Sequence, residues 1–214
     1  MSTAEGQPLG ESAGGHVDPR VRRTRRLLQQ AFLELLQEKS FSDISIQDIA
    51  EKATVNRTTF YAHFSDKYAL ADAVIRERFL EAVTSKLPAW GSWQLESLRL
   101  LISAVFEFLG GLHEYCSPAG GQFDPLMERA VQQELARILL QWLWQAPASS
   151  SAHRWSSRPV PLETLAEVMS WAIFGCAAQW SKREEGKLTA GEMSELVLRI
   201  LVEGTRRLVP GLEE

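Results

Sequence analysis

Arg57, Thr58, Tyr61 and His63 fall within seven residues at spacings that leave them around one free side of a short helix. Together they present a guanidinium, a hydroxyl with a methyl group, a phenol and an imidazole. That mixture suits phosphate oxygens and base edges in a major groove. It does not suit turnover. The four histidines, His16, His63, His113 and His153, show no HExxH or other metal spacing, and neither Cys116 nor Cys176 pairs locally with one. The two cysteines form no CxxC pair either, so buried, reduced thiols are expected. Recognition chemistry is favoured, with no catalytic residues, no metal and no cofactor; an all-α enzyme with a spatially assembled site is the disfavoured alternative.

Presenting those side chains requires a short helix held from behind. Asn56 reads as its N-cap, Thr59 as N3, and Val55 at N′ faces Phe60 at N4 as a hydrophobic staple. A helix from Arg57 to His63 is far shorter than the roughly 12–15 residues that fold alone in water, so Phe60 and Phe64, at i and i+4, must anchor it to a neighbour. The preceding helix carries the same devices: Ser45 as N-cap, Asp48 at N3 as a short capping box, and Ile44 stapled to Ile49. Its end at Ala53 leaves about three residues for the turn. Ahead of both, Asp18-Pro19 opens a first helix with an N-cap and a proline at N1. Val21, Leu28, Phe32, Leu35 and Leu36 line one face of that helix as the expected back wall.

The run Ile49-Ala50-Glu51-Lys52-Ala53-Thr54-Val55-Asn56-Arg57-Thr58-Thr59-Phe60-Tyr61-Ala62-His63-Phe64-Ser65-Asp66-Lys67 resembles the DNA-binding signature of TetR-family transcriptional regulators. The resemblance implies that Asn56–Phe64 lies in the major groove and that Tyr61, His63 and Lys67 touch the DNA backbone. The candidate interface is Ser45, Gln47, Asn56, Arg57, Thr58, Thr59, Tyr61, His63 and Lys67. The chain departs from the family at Thr54, where a glycine is common and φ > 0 is favoured. Asn56 and Thr58 replace the commoner serine and glycine, so base preference does not carry over. If Ser65 caps the next helix, Lys67 opposes the helix dipole in its first turn, and a phosphate would offset that.

The chain has 214 residues and a formal net charge of −4, with the sign segregated along its length. Residues 18–80 carry +2, residues 81–214 carry −4 and residues 1–17 carry −2. Arg20, Arg22, Arg23, Arg25 and Arg26 cluster at the start of the first helix, where they can approach a phosphate backbone. Neither a membrane span nor a signal peptide is expected, which points to the cytoplasm.

The expected fold is all-α: a three-helix helix-turn-helix domain over 18–65, a larger helical bundle over 66–214, and a disordered tail over 1–17. About nine helices are expected if a short one fills the Leu112–Cys116 region. A fourth helix, about Asp66 to Leu87, links the domains and ends at Pro88. Later helices are read from Leu95 to Gly110-Gly111, from Asp124-Pro125, from Pro161 at N1, and from the capping box Thr189–Glu192 with its Leu188–Met193 staple. The Ser/Pro/Ala-rich stretch between Ala146 and Pro161 reads as a surface loop.

The aromatic wealth of the second domain suggests a pocket for a small apolar or aromatic effector. Its expected walls are Trp90, Trp93, Phe106, Phe123, Trp142, Trp171 and Phe174, with His113, Tyr115 and Gln179 as polar groups. The bland reading is plain core. Met169, Ala172, Gly175 and Cys176, with Val197, Leu201 and Gly204, form the expected homodimer interface, because one short recognition helix reads few base pairs and a two-fold pair reads two half-sites. The resemblance implies the same use of this helix pair. Double-stranded operator DNA, a second copy and an effector are thus the expected partners, and a repressor released by that effector the favoured function. A protein of the same fold that answers to no small molecule is the alternative.

Overall fold

The computed structural model describes residues 18–87, 91–111, 123–146, 160–183 and 188–205. These form eight α-helices, a single 3₁₀ turn and no strand. The N-terminal helices are α1 (Pro19–Glu38), α2 (Ile46–Lys52), α3 (Arg57–His63) and α4 (Lys67–Thr84), followed by α5 (Leu95–Gly111), α6 (Phe123–Gln145), α7 (Leu162–Ser181) and α8 (Ala190–Thr205). The short helix expected at Leu112–Cys116 lies outside the described residues, as do the tail at 1–17 and most of the Ser/Pro/Ala-rich stretch.

The Asp18 carboxylate accepts the Arg20 N–H at 2.9 Å, and Pro19 occupies N1. Leu28, Ala31, Phe32 and Leu35 are buried. Val21, expected on the same face, is 38% exposed, and residues 18–23 are all exposed at the start of α1. The 3₁₀ turn Phe41–Asp43 was not anticipated; it drops Phe41 into the core, edge-on to Phe32 at 6.0 Å and to Tyr68 at 5.3 Å.

Four helix ends differ from expectation. Asp66 rather than Ser65 caps α4, its carboxylate accepting the Ala69 N–H at 2.7 Å, and α4 ends at Thr84, before Leu87. α6 begins at Phe123, ahead of Asp124-Pro125, and Pro161 stands at the N-cap of α7 instead of N1. The Thr189–Glu192 box forms with both bonds: the Glu192 carboxylate accepts the Thr189 N–H at 2.8 Å, and the Glu192 N–H donates to Thr189 Oγ1 at 3.2 Å.

In the bundle, α6 packs chiefly on α7, and α5 on α7 and α8, while α4 lies against α1, α5 and α6. It is therefore the element common to both halves. A close approach fixes Gly91: a Cβ there would stand 2.5 Å from the Trp142 ring. Polar ties cross the bundle as well. Gln132 on α6 donates to Ser170 Oγ at 3.0 Å on α7, and Arg76 on α4 reaches Asp72 at 2.8 Å and the nearly buried Glu134 of α6 at 3.5 Å. Among the described residues no helix is long and apolar enough to cross a membrane.

Candidate nucleic-acid interface

α2 and α3 are set against each other by a turn whose every backbone bond can be traced. The Val55 N–H donates to the Ala50 carbonyl at 2.9 Å and the Thr54 N–H to that of Glu51 at 3.0 Å, the crossed pair of a Schellman end. Such an end needs its C′ residue in the left-handed region. Thr54 takes φ 55°, the single positive φ among described non-glycine residues. A β-branched side chain there is strained, and the turn forms regardless.

Each short helix is capped at once. Ser45 Oγ accepts the Asp48 N–H at 3.1 Å, and the Asp48 carboxylate accepts the Ser45 N–H at 2.7 Å. Lys39, 2.9 Å from the same carboxylate, is the largest influence holding the Asp48 pKa far below its ordinary 3.8, followed by the Ser45 hydroxyl and amide. Asn56 caps α3 by accepting the Thr58 N–H at 3.0 Å. Phe60 is fully buried and Phe64 almost so, their rings 6.0 Å apart. Burying such side chains contributes about 1.5–3 kcal/mol each, which holds down a helix too short to persist alone.

The opposite side of α3 is open. Asn56, Arg57, Thr58 and Tyr61 are exposed, Thr59 and His63 half-buried. An Arg57 guanidinium nitrogen donates to the Tyr61 hydroxyl at 3.2 Å, with the guanidinium 5.7 Å from the ring centroid, so these two present one joined donor surface. Ser45 and Gln47 are exposed at the start of α2, Gln47 donating to Glu51 at 2.6 Å. Of the nine expected residues, six are therefore exposed and Thr59 and His63 partly so.

Lys67 is the ninth, and its ammonium does something else. It donates to the backbone carbonyls of Phe41 at 2.9 Å, Ser42 at 3.1 Å and Ile44 at 2.8 Å. All three N–H donors of the ammonium are thereby engaged. Burial pushes the Lys67 pKa down, and Asp43 opposes that shift. The expectation of a free cation beside phosphate is corrected: Lys67 ties the 3₁₀ turn before α2 to the first turn of α4. Arg25 is likewise engaged. It donates to the His63 carbonyl at 3.3 Å and lies 4.4 Å from the Phe64 ring centroid, closing the C-terminal end of α3. Sequence reasoning had placed Arg25 with its exposed neighbours; a contact across 38 residues leaves no local signal.

In the second domain the expected pocket residues that the structure describes differ in exposure. Phe106, Trp142 and Phe174 are packed core, and Trp93 is 3% exposed with its Nε1 lacking a hydrogen-bond partner among the described residues. Trp171 faces outward at 51% exposure, bonded to Glu167 at 3.1 Å, and Gln179 is also exposed. Trp90, His113 and Tyr115 lie outside the described residues; Phe123 begins α6. Two hollows of about 700 and 630 Å³ lie along α1 and α4, and their lining does not include Trp93, Phe106, Trp142, Trp171, Phe174 or Gln179. Helical spacing marks the apolar residues but not whether their rings meet or stand apart.

The expected dimer set also divides. Met169, Val197 and Leu201 are buried within the chain, where α7 and α8 pack on α5. Ala172 is half-buried, Cys176 is exposed rather than buried, and nothing lies within 4 Å of a Cβ built at Gly175 or Gly204. The outward apolar residues are Val168 and Trp171 on α7 and Leu196 and Ile200 on α8, the last 71% exposed. They sit one helical position away from those expected.

Two capped helices crossing at a tight turn, one anchored by aromatic rings and open on its far side, define a helix-turn-helix DNA-binding domain. Residues 28–74 match the family model of bacterial regulatory proteins, tetR family. That match takes in most of α1, all of α2 and α3 and the first turns of α4, so over this region the chain is similar to that family. It is 41% identical over 68 residues to the uncharacterized HTH-type transcriptional regulator YxbF of Bacillus subtilis (strain 168), a match covering 31% of this chain and 18% of that protein. Over 78 residues it is 32% identical to the HTH-type dhaKLM operon transcriptional activator DhaS of Lactococcus lactis subsp. lactis (strain IL1403), covering 36% and 41%. The matched region thus spans less than half the length of either relative. A TetR-family transcriptional regulator from Streptomyces coelicolor shares the fold, with a TM-score of 0.55 at 18% identity over 87% of this chain and 99% of that one.

Proposed function

We propose that the chain is a homodimeric, sequence-specific DNA-binding regulator, with residues 18–65 reading DNA and residues 66–214 pairing two copies and answering to a small molecule. The observation that carries the reading is the exposed Asn56–Arg57–Thr58–Tyr61 surface on a helix whose other side is fixed by Phe60 and Phe64. A donor surface held this rigidly is suited to a groove, since its side chains need no backbone rearrangement to reach base edges. The outward apolar side chains of α7 and α8, with open space over Gly175 and Gly204, support a two-fold helix pairing. Two recognition helices about 34–36 Å apart would then meet successive turns of one duplex face. Effector binding in the second domain shifts operator affinity by its preference for one spacing of those helices over another, about 1–3 kcal/mol in typical cases. Repression is the favoured outcome, although the DhaS relative is named as an activator.

The test is an anisotropy titration of the DNA flanking the chain's own gene across a range of salt concentrations. The expected result is preference for one duplex sequence, with Arg57→Ala weakening binding and lowering the salt slope by about one. Equal affinity for random competitor would overturn the assignment.

A further inference from the structure

The smaller hollow, about 630 Å³, lies where α1 meets α4, α5 and α6, a volume within the range of about 300–1,000 Å³ that small-molecule sites occupy. Its walls are apolar: Leu33 and Leu36 from α1, Val74 and Ile75 from α4, Phe108 from α5 and Met127 from α6. Its charged lining is mostly anionic. Glu34, Glu81 and Glu107 stand against one cation, Arg78, and the amides Gln30 and Gln37 complete the polar lining.

We propose that this hollow binds a cationic amphiphile, an apolar or aromatic body carrying one permanent positive charge. The three carboxylates have partners of their own, Lys52 3.7 Å from Glu34, Arg78 3.4 Å from Glu81, and Lys86 beside Glu107. Lys52 and Lys86 stand outside the lining, however, and exposed pairs of this kind are weak, so a guest cation can take their place. Phe108 adds an aromatic surface, its ring edge-packed on Phe79 at 5.4 Å, and aromatic rings attract cations. The adjoining larger hollow, which shares Arg78 and Glu81, adds Arg22, Arg23 and Arg26 against Glu77 alone, an excess of positive charge that repels the same guest and favours the acidic end.

Position supplies the consequence. Leu33 and Leu36 belong to the helix that backs α2 and α3, whereas Val74 and Ile75 belong to the helix that enters the bundle. A guest between them bears on the angle of the DNA-binding domain to the rest of the chain. This deepens the ligand-responsive reading and rests on it for the DNA readout alone.

Binding is measured on the full chain without DNA, by calorimetry with tetraphenylphosphonium and with tetraphenylborate, ions nearly matched in size and opposite in charge. The phosphonium is expected to bind saturably, one per chain, at least tenfold more tightly than the borate. Gly111 lines the hollow, and a Cβ there meets nothing within 4 Å, so Gly111→Leu adds bulk at its wall from an open position. That variant is expected to lose at least tenfold in phosphonium affinity. The surface pair Glu81→Gln/Glu107→Gln, which leaves the walls intact, should reduce the preference over borate to below threefold. Absence of phosphonium binding, equal binding of the borate, or a charge preference untouched by the glutamine pair would each overturn the proposal. A chain that binds its operator but not the phosphonium sinks this inference alone; one that binds the phosphonium but prefers no DNA sequence sinks the regulator reading alone.

Discussion

Thr54 holds a left-handed backbone that its β-branched side chain resists, because the carbonyls of Ala50 and Glu51 can be satisfied only by a chain that reverses there. Replacing it with glycine should remove about 1 kcal/mol of strain. Urea denaturation of Thr54→Gly is expected to show a higher midpoint at unchanged slope. The position was legible in advance, since the turn falls where φ > 0 is favoured. Asp48 supplies a second test. Its folded pKa is lowered, so its contribution is fully present above the unfolded value near 3.8 and is lost as pH falls through and below it. Acid titration followed by circular dichroism should therefore show helix loss beginning below about pH 4, and Asp48→Asn should flatten that part of the curve.

Short helices depend on what lies behind and at their ends. The capping boxes at Ser45 and Thr189 could be read from three-residue spacing because the bonds they make are local. The clamp made by Lys67 could not. Its carbonyl partners lie 23 to 26 residues earlier, in a 3₁₀ turn that has no strong signature of its own. Lys67→Met keeps the stem and removes the donors, so it should cost about 1.5–3 kcal/mol of stability, in line with hydrogen bonds from charged groups. Operator binding should weaken through misplacement of α2 and α3, with the salt slope unchanged. A slope lowered by one would return Lys67 to the phosphate contacts.

At the scale of the molecule, α4 joins the helix-turn-helix domain to the bundle through its contacts with α1, α5 and α6. Arg76, bridging Asp72 and Glu134, secures the bundle end of that link. The outward α7–α8 face gives a whole-molecule prediction. Ile200, at 71%, is the most exposed of its apolar side chains, so Ile200→Arg should leave the chain folded yet shift it to monomer in sedimentation and weaken operator binding by the loss of one half-site. An unchanged dimer would move the interface elsewhere.

The amino-acid sequence by itself determined the all-α class, the capped pair α2 and α3, the turn at Thr54 and the face of α3 left open, because caps, staples and i, i+4 pairs act over less than two helical turns. Tertiary structure alone decided that Lys67 and Arg25 turn inward, that Trp171 stands outside the bundle, that Ile200 and not Leu201 is exposed on α8, and that the hollow opens beside α1. Each depends on which helix lies across from which, and residues brought together from distant parts of the chain leave no periodic trace along it.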